Sequence, residues 1–515
     1  MKVVLISSEI APLSKTGGMG DVVGALAVSL AEAGHQVLTV SPKYGTVDTS
    51  GFERTEQALR VDLGGRTHTP RVWVRHGVRR TDVLIESHLY DRHGIYGDAH
   101  GAFGDNHLRF ALLSRAGIEA ARWVPAPEEP LGQDVVFHVH DWHTALVPVY
   151  LNALYRPLGL FSRAATVLTL HNVAHQGAFS AERFADLELP PRWNGGWCLE
   201  WHGGINLLKG GILQAEALTT VSPSYARELL LDGAAMGLEA SLRHRARELV
   251  GIVNGIDDAV WDPRRDPFLD AAFSADDLSG KASCKAALQR EFGLPVDASV
   301  PLLASVGRLD PQKGVSLLLD SIPWVVEAHG AQVVLVGSAG AAHRAYEHQL
   351  RLLEARYPRH VRAFIGFSER MAHRVEAGAD AFLMPSLFEP CGLNQLYSLR
   401  YGTPPIVHRV GGLKDTVTTY DPAHDAGNGW TFDHPVGESF REAIHWALVT
   451  WKQHPDVFRR LRLRGMREDH AWRRVLPAYE HVYRFALSKM AAAEIPPSEP
   501  AAAPSLAKPR RRRSG

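Results

Sequence analysis

Short apolar runs, each ending in polar or glycine residues, recur along the chain and alternate with amphipathic stretches of helical period. Apolar runs of four to eight residues are typical of strands that are buried on both faces, as in parallel sheets. The alternation of such strands with helices predicts an α/β fold with doubly wound sheets. The predicted strands are residues 3–6, 37–40, 134–140, 164–170, 217–221, 301–307, 332–336, 362–365, 381–385 and 405–408.

The pattern begins anew near residue 301, after a predicted short strand and turn at 251–257. A chain of 515 residues is too long for a single hydrophobic core, so two domains are expected. We expect one doubly wound domain over 1–250 and a second over 251–470. A terminal helix is predicted at 472–487, and a hairpin at 71–85 is expected inside the first domain.

Composition narrows the class of protein. Hydrophobic residues make up 45% and charged residues 22%, and the formal net charge is zero, so no overall basic field suggests nucleic acid. The three cysteines match no metal or disulfide spacing, and no apolar run reaches membrane-spanning length. A cytoplasmic protein without a membrane partner is therefore predicted. The Ala/Pro-rich segment 490–515, with four arginines near its end, is predicted to be a disordered tail.

The most informative stretch follows the predicted strand 381–385. Glu389 stands at the carboxyl end of that strand, a helix is predicted over 392–401 with Gly402 as its end, and Gly411-Gly412 opens another helix. Two helix N-termini at the carboxyl edge of a parallel sheet favour a phosphate group. Glu389 would repel phosphate but suits sugar hydroxyls. The alternative is a glutamate that only complements a helix dipole.

Cations stand on two further loops at strand ends. Lys15 precedes the glycine-rich segment 16–20, and Arg308 and Lys313 follow the strand 301–307. Glycines let the backbone approach a diphosphate, and the cations would neutralise it. The first loop is neither a Walker loop nor a dinucleotide fingerprint. A plain turn and a surface salt bridge are the alternatives.

Histidines cluster at two other strand ends. His138, His140 and His143 surround Asp141, and His171 ends the strand 164–170. Three histidines allow the hypothesis of a metal-dependent hydrolase. Trp142 stands where the histidine signature of metallo-β-lactamase-like hydrolases requires an aspartate, and no second cluster completes a site. Polar groups that line a cleft are the favoured interpretation.

Seven segments together resemble the bacterial glycogen synthases and plant starch synthases, in the order that the family has them. They are residues 15–23, 140–143, 169–172, 220–225, 251–257, 307–314 and 389–397. The resemblance extends from residue 1 to about 485. It implies a GT-B fold, in which two Rossmann-like domains face a deep cleft and the last helix, 471–489, crosses back to the first domain. It also implies a retaining transferase that moves glucose from ADP-glucose to the non-reducing end of an α-1,4-glucan.

The resemblance also implies roles for individual residues. Lys15, Gly17 and Gly18 would meet the diphosphate from one domain, and Arg308 and Lys313 from the other. His171 and Asp141 would lie beside the glucosyl group, and Glu389 would hold its hydroxyls. Further substrate-binding positions implied by the motifs are Asp21, Tyr96, Asn254, Cys391, Gly392, Leu393 and Tyr397. No cofactor and no metal are expected.

Two positions distinguish branches of the family. Tyr397 stands where many retaining GT-B enzymes carry a second glutamate, which favours the glycogen and starch synthase branch. Asn394 stands where a threonine is usual in the bacterial enzymes. A catalytically inactive glucan-binding protein remains an alternative, as does the metal-dependent hydrolase. The sequence determines neither the nucleotide base of the donor nor the oligomeric state.

Overall fold

The computed structural model describes residues 1–98, 100–124 and 131–493. Two separate sheets, the first mostly parallel and the second parallel throughout, organise the chain, one built before residue 252 and one after residue 301. The domain boundary at residue 250 stays a prediction. The predicted tail lies outside the described residues from residue 494 onward.

Sixteen of the described strands precede residue 252, and six follow residue 301. The first group is β1 Lys2–Ile6, β2 Gln36–Pro42, β3 Glu53–Ala58, β4 Val61–Leu63, β5 Arg66–His68, β6 Arg71–His76, β7 Arg80–Glu86, β8 Gly97–Asp98, β9 Gly101–Ala102, β10 Val135–His140, β11 Ala165–Leu170, β12 Ala178–Ser180, β13 Glu200–Trp201, β14 Gly204–Asn206, β15 Ala217–Thr220 and β16 Leu249–Gly251. The second group is β17 Leu302–Val306, β18 Gln332–Gly337, β19 Val361–Ile365, β20 Ala381–Met384, β21 Pro405–His408 and β22 Trp430–Phe432.

The described helices divide in the same way between the two parts of the chain. The first part contains α1 Gly18–Glu32, α2 Asn106–Trp123, α3 Asp141–Thr144, α4 Leu146–Tyr150, α5 Leu207–Gln214, α6 Pro223–Glu228 and α7 Glu239–His244. The second part contains α8 Ser279–Glu291, α9 Val315–His329, α10 Arg344–Arg356, α11 Glu369–Gly378, α12 Asn394–Arg400, α13 Gly411–Thr416, α14 Gly437–Gln453, α15 Pro455–Arg467 and α16 Trp472–Ala493.

The first sheet has nine strands in the order β16-β15-β11-β10-β1-β2-β7-β6-β3. All neighbours are parallel except at the β7-β6-β3 edge, where the predicted hairpin lies. β1 lies between β2 and β10, so the strand order reverses between β1 and β10. Open α/β sheets bind ligands beside such a reversal, at the carboxyl ends of the strands.

The second sheet is parallel throughout, in the order β19-β18-β17-β20-β21-β22. Its strand order reverses between β17 and β20. The loop with Arg308 follows β17, and the loop with Glu389 follows β20. The topology therefore brings the two loops that the sequence analysis singled out to one crevice.

The terminal helix α16 crosses back to the first sheet, as the resemblance implies. Its apolar side packs with β1, β11 and α1 in one buried cluster. Two buried side chains fix this contact: the hydroxyl of Tyr483 lies 2.8 Å from Nδ1 of His138, whose Nε2 lies 2.6 Å from the hydroxyl of Thr169. His138, one of the three clustered histidines, therefore holds the helix and does not line the cleft.

Direct contacts also join α6 of the first part to α13 of the second. The hydroxyl and backbone N–H of Ser224 each donate to Asp415 at 2.7 Å. The hydroxyl of Ser222, the residue that caps α6, donates to the carbonyl oxygen of Pro390 at 2.7 Å. The two parts of the chain thus touch beside the carboxyl edges of the two sheets, and the cleft lies between the sheets.

Some helix starts differ from the predictions because glycine serves close packing there. Gly18 and Gly20, predicted to lie in a loop, both lie in α1, where a Cβ on Gly20 would stand 2.8 Å from that of Lys15. The glycine-rich loop is therefore shorter than predicted. α12 begins at Asn394, two residues later than predicted, because Gly392 has a φ of +75°.

Among the described residues, no helix is both long enough and apolar enough to cross a membrane. The cytoplasmic location stays a prediction.

Candidate functional site

A buried carboxylate organises the loop after β1. Glu9 accepts hydrogen bonds from the Thr16 hydroxyl at 2.8 Å and the Gly17 N–H at 3.2 Å, and also from the Thr16 N–H and the Tyr96 hydroxyl. This role was not predicted from the sequence, although a glutamate three residues after a buried strand is unusual enough to signal it. The Gly17 amide donates to Glu9 in this structure, and its contact with a diphosphate stays a prediction. Glu9 fixes the shape of the loop and the position of Tyr96.

Lys15 and Asp21 form an ion pair at the mouth of the same loop, with Nζ 2.9 Å from Oδ1. About a third of each side chain is exposed, 32% and 34%, so separating them costs little. Gly18 faces the second part of the chain, because a Cβ there would lie 3.2 Å from the side chain of Leu393. The loop therefore forms one wall of the cleft, and Lys15 can reorient towards an anion.

Asp141 and His171 lie side by side at the ends of β10 and β11. A carboxylate oxygen of Asp141 accepts the backbone N–H of His171 at 2.7 Å and that of Asn172 at 3.4 Å. Asp141 has a φ of +52°, a conformation that is rare and costly for a residue with a side chain. Burial raises the pKa of Asp141 to about 7. Strain and a perturbed pKa at one strand end are features of functional positions.

Two neutral histidines adjoin Asp141. Nε2 of His171 lies 3.1 Å from Nδ1 of His140, so one ring donates a hydrogen bond to the other. Burial lowers the pKa of His171 to about 3 and that of His140 well below its usual value. Because both rings are uncharged at neutral pH, His171 presents a polar but neutral face to the cleft.

The third clustered histidine packs against an aromatic ring. His143 stacks on Tyr96 with ring centroids 4.6 Å apart, and its Nδ1 is buried without a hydrogen-bond partner among the described residues. Tyr96 thus lies between His143 and Glu9 beneath the cleft wall. In the described part of the chain, no group of three or more His, Cys, Asp or Glu side chains could hold a metal ion. The hypothesis of a metal-dependent hydrolase has no support in this geometry.

The loops after β17 and β20 meet in a second polar group. Nζ of Lys313 lies 2.6 Å from Oε2 of Glu389, which also accepts the hydroxyl of Ser386 at 3.0 Å. The Glu389 side chain is 7% exposed and that of Lys313 is 28% exposed. The resemblance implied that these two residues contact different parts of a substrate. The structure joins them in one ion pair, so each sets the position of the other.

Arg308 extends into the cleft from the same loop. Its side chain is 60% exposed and is held only loosely, at 3.3 Å from both Asp310 and Gln312. It faces the first part of the chain, where burial and, to a lesser extent, the positive charge of Arg308 lower the pKa of His175. An exposed and loosely held guanidinium opposite the end of β11 is suited to closing on an anion.

Other positions named from the sequence lie around this cleft. Asn254 donates its backbone N–H to the sulfur of Cys391 at 3.4 Å, and its side-chain oxygen is buried with no described partner. Tyr397 stacks on Trp261 with centroids 3.7 Å apart. Asn394 donates to the carbonyl oxygen of Val306 at 2.6 Å and so ties α12 to β17. The side-chain amide of Asn394 therefore stabilises the fold.

The N-terminus of α13 is already occupied. Its first residue, Gly411, donates its N–H to a carboxylate oxygen of Glu228 from α6 at 2.8 Å. This helix N-terminus, predicted to face a phosphate, makes a contact between the two parts of the chain in the structure. Sequence reasoning could not find it, because Glu228 lies 183 positions away.

Comparisons with known proteins agree on one family. The family model of the starch synthase catalytic domain matches residues 2–244, and that of the glycosyl transferases group 1 matches residues 290–459. A glycogen synthase of Anaeromyxobacter dehalogenans is 44% identical over 491 residues, covering 94% of this chain and 99% of the relative. Starch synthase 1 of Triticum aestivum is 40% identical over 505 residues, covering 94% and 77%.

A solved structure extends the likeness to three dimensions. The catalytic domain of starch synthase IV from Arabidopsis thaliana, bound to ADP and acarbose, superimposes with a TM-score of 0.87 at 32% identity. The match covers 94% of this chain and 99% of that domain. The comparisons and the cleft geometry thus point to the same class of protein.

Proposed function

Because the chain belongs to the family of bacterial glycogen synthases and plant starch synthases, we propose that it elongates an α-1,4-glucan. Glucose would be taken from ADP-glucose and added to the non-reducing end with retention of configuration. The resemblance to a starch synthase structure bound to ADP supports a nucleotide-sugar donor.

One observation carries the proposal: the cations of the second sheet face the strand ends of the first. Arg308 lies close enough to His175 to affect its pKa, and the Lys313–Glu389 pair stands at the next loop. A sugar diphosphate placed between the sheets would meet cations on one side and the Asp141–His171 group on the other.

The proposed chemistry begins at the bond between glucose and the diphosphate. As that bond breaks, negative charge grows on the departing phosphate. Arg308 and Lys313 stabilise this charge, and Lys15 joins them once it leaves Asp21. Loss of one such preorganised donor typically costs about 10²–10³ in rate.

The glucosyl group is held by neutral and acidic partners. Glu389 accepts hydrogen bonds from glucose hydroxyls while Lys313 keeps its carboxylate oriented. The uncharged ring of His171 contacts the sugar without repelling the positive charge that develops on it. Asp141 holds the backbone of His171 and, in its ionised form, stabilises that positive charge.

Radiolabel transfer tests the proposal. Glycogen is incubated with the full chain and either labelled ADP-glucose or labelled UDP-glucose. Incorporation from ADP-glucose is expected, and an Arg308→Ala variant should lose most of it. Absence of incorporation from both donors would refute the transferase, and a preference for UDP-glucose would refute the donor assignment.

A further inference from the structure

A tryptophan-lined groove lies outside the residues assigned to transfer. Trp197 is 50% exposed, which is high for so large an apolar side chain. Together with Trp201 it lines a cavity of about 410 Å³ between the β13–β14 hairpin and α7. We call this cavity the tryptophan groove; its lining is Gly196, Trp197, Trp201, Lys209, Leu213, Gly237, Ala240, Ser241 and His244.

A buried lysine holds the two indole-bearing segments in place. Lys209, on α5, is 7% exposed, and its Nζ donates to the carbonyl oxygens of Gly196 at 2.8 Å and Glu200 at 2.5 Å. These carbonyls belong to the residues directly before Trp197 and Trp201. The backbone that carries both indoles is therefore held in place before any ligand arrives, which lowers the entropic cost of binding.

Two glycines make room for the indole rings. A Cβ on Gly195 would lie 2.7 Å from Nε1 of Trp197. Gly237 has a φ of +96°, and a Cβ there would lie 3.0 Å from the edge of the Trp201 ring. The ring positions depend on these small residues, so the groove is a formed feature of the surface.

The groove begins where the rim of the cleft ends. Gln176 follows His175, the residue that faces Arg308, and donates to the carbonyl oxygens of Ala235 and Met236, both at 3.3 Å. Gly237, the next residue, forms the groove wall against Trp201. A linear molecule that leaves the cleft past His175 would meet the groove next.

We propose that the tryptophan groove binds the α-1,4-glucan chain beyond the sugars held at the transfer site. The proposal rests on the proposed function for the identity of the chain. The apolar face of a pyranose ring stacks on an indole, and its hydroxyls need polar partners at the edge. Ser241 and His244 line the same cavity and supply such partners. The transfer site would thus act on a polymer that is anchored farther out.

Binding without catalysis gives the first test. Migration of the full chain is measured in native gels with and without glycogen, for the natural protein, Trp197→Ala and Trp197→Phe. Trp446→Ala is the matched control, because Trp446 is 40% exposed and lies on α14 of the second part. We expect glycogen to retard Trp197→Ala less, with an apparent affinity about tenfold lower than that of the natural protein. Trp197→Phe should restore much of it, and the control should match the natural protein.

Acceptor length gives the second test. Trp197→Ala should raise KM for glycogen by about tenfold while kcat, and KM for maltotriose, stay within twofold. Equal retardation of Trp197→Ala and the natural protein would overturn the inference, as would equal KM effects on both acceptors. A dimer that Trp197→Ala dissociates in size-exclusion chromatography would assign the groove to a second copy instead. Glycogen binding without glucose transfer would refute the proposed function and leave this site standing.

Discussion

The Lys313–Glu389 pair allows the sharpest separation of roles within the cleft. Glu389→Gln removes the negative charge but keeps the shape of the side chain and one hydrogen-bond acceptor. In the structure this charge holds Nζ of Lys313 at 2.6 Å. Without it, Lys313 is free to move towards a diphosphate, while the sugar loses its strongest acceptor.

The expected losses of stability and of kcat in Glu389→Gln follow from the geometry of the Lys313–Glu389 pair. Two unit charges 2.6 Å apart at an effective dielectric constant of about 20 attract by at most about 6 kcal/mol. Desolvation opposes this, and Lys313 is 28% exposed, so water compensates part of the loss. We expect the free energy of unfolding of Glu389→Gln to be about 1–3 kcal/mol lower than that of the natural protein. A hydrogen bond to a charged acceptor contributes about 1.5–3 kcal/mol, so kcat should fall by about 10–150-fold.

Calorimetry of ADP binding and steady-state kinetics measure the two effects separately. ADP has no glucose, so Glu389→Gln should bind it as tightly as the natural protein or up to about tenfold more tightly. Lys313→Met is the matched variant and should lose ADP affinity, as should Arg308→Ala. A loss of ADP affinity in Glu389→Gln as large as that in Lys313→Met would contradict the placement of Glu389 at the sugar. Near-normal turnover would reduce Glu389 to a structural role.

Three further predictions concern other parts of the structure. Asp415→Ala removes both acceptors of Ser224, so small-angle scattering of the free protein should show a larger radius of gyration than for Asp415→Asn. Because burial raises the pKa of Asp141 to about 7, kcat should rise through about pH 7, and Asp141→Asn should lack that inflection. As the pH rises, the unfolded state loses this proton near pH 4, whereas the folded state keeps it until about pH 7. Asp141 therefore makes the unfolding free energy fall as the pH rises from about 4 to 7, an effect that Asp141→Asn should remove. Tyr483→Phe leaves Nδ1 of the buried His138 without its partner, which should lower the unfolding free energy by about 1–3 kcal/mol at near-normal kcat, as measured by denaturant titration and steady-state kinetics.

The strands could be predicted from the sequence because the signal for a strand is local. The apolar runs ending before Arg308 and before Glu389 predicted strands within one or two residues of those observed. Since polar groups at the carboxyl ends of parallel strands converge, the crevice could be inferred as well. The resemblance then supplied the GT-B arrangement and the return of the last helix.

The contacts inside the cleft were not accessible, because they join residues far apart in sequence. The Lys313–Glu389 pair spans 76 positions, and the Glu9–Tyr96 contact spans 87. His138 resembled a metal ligand by spacing, yet its partner is Tyr483, 345 positions away. Spacing alone cannot distinguish a histidine that faces a cleft from one that anchors a helix.

Proton NMR of the reaction products tests the central claim most directly. The full chain is incubated with maltotriose and ADP-glucose, and the anomeric signals are followed from the first turnover. The account predicts a new α-1,4 linkage at the non-reducing end, formed directly as the α-anomer together with ADP. A β-linked product would contradict retention, and free glucose with no lengthened chain would show that the cleft hydrolyses its donor.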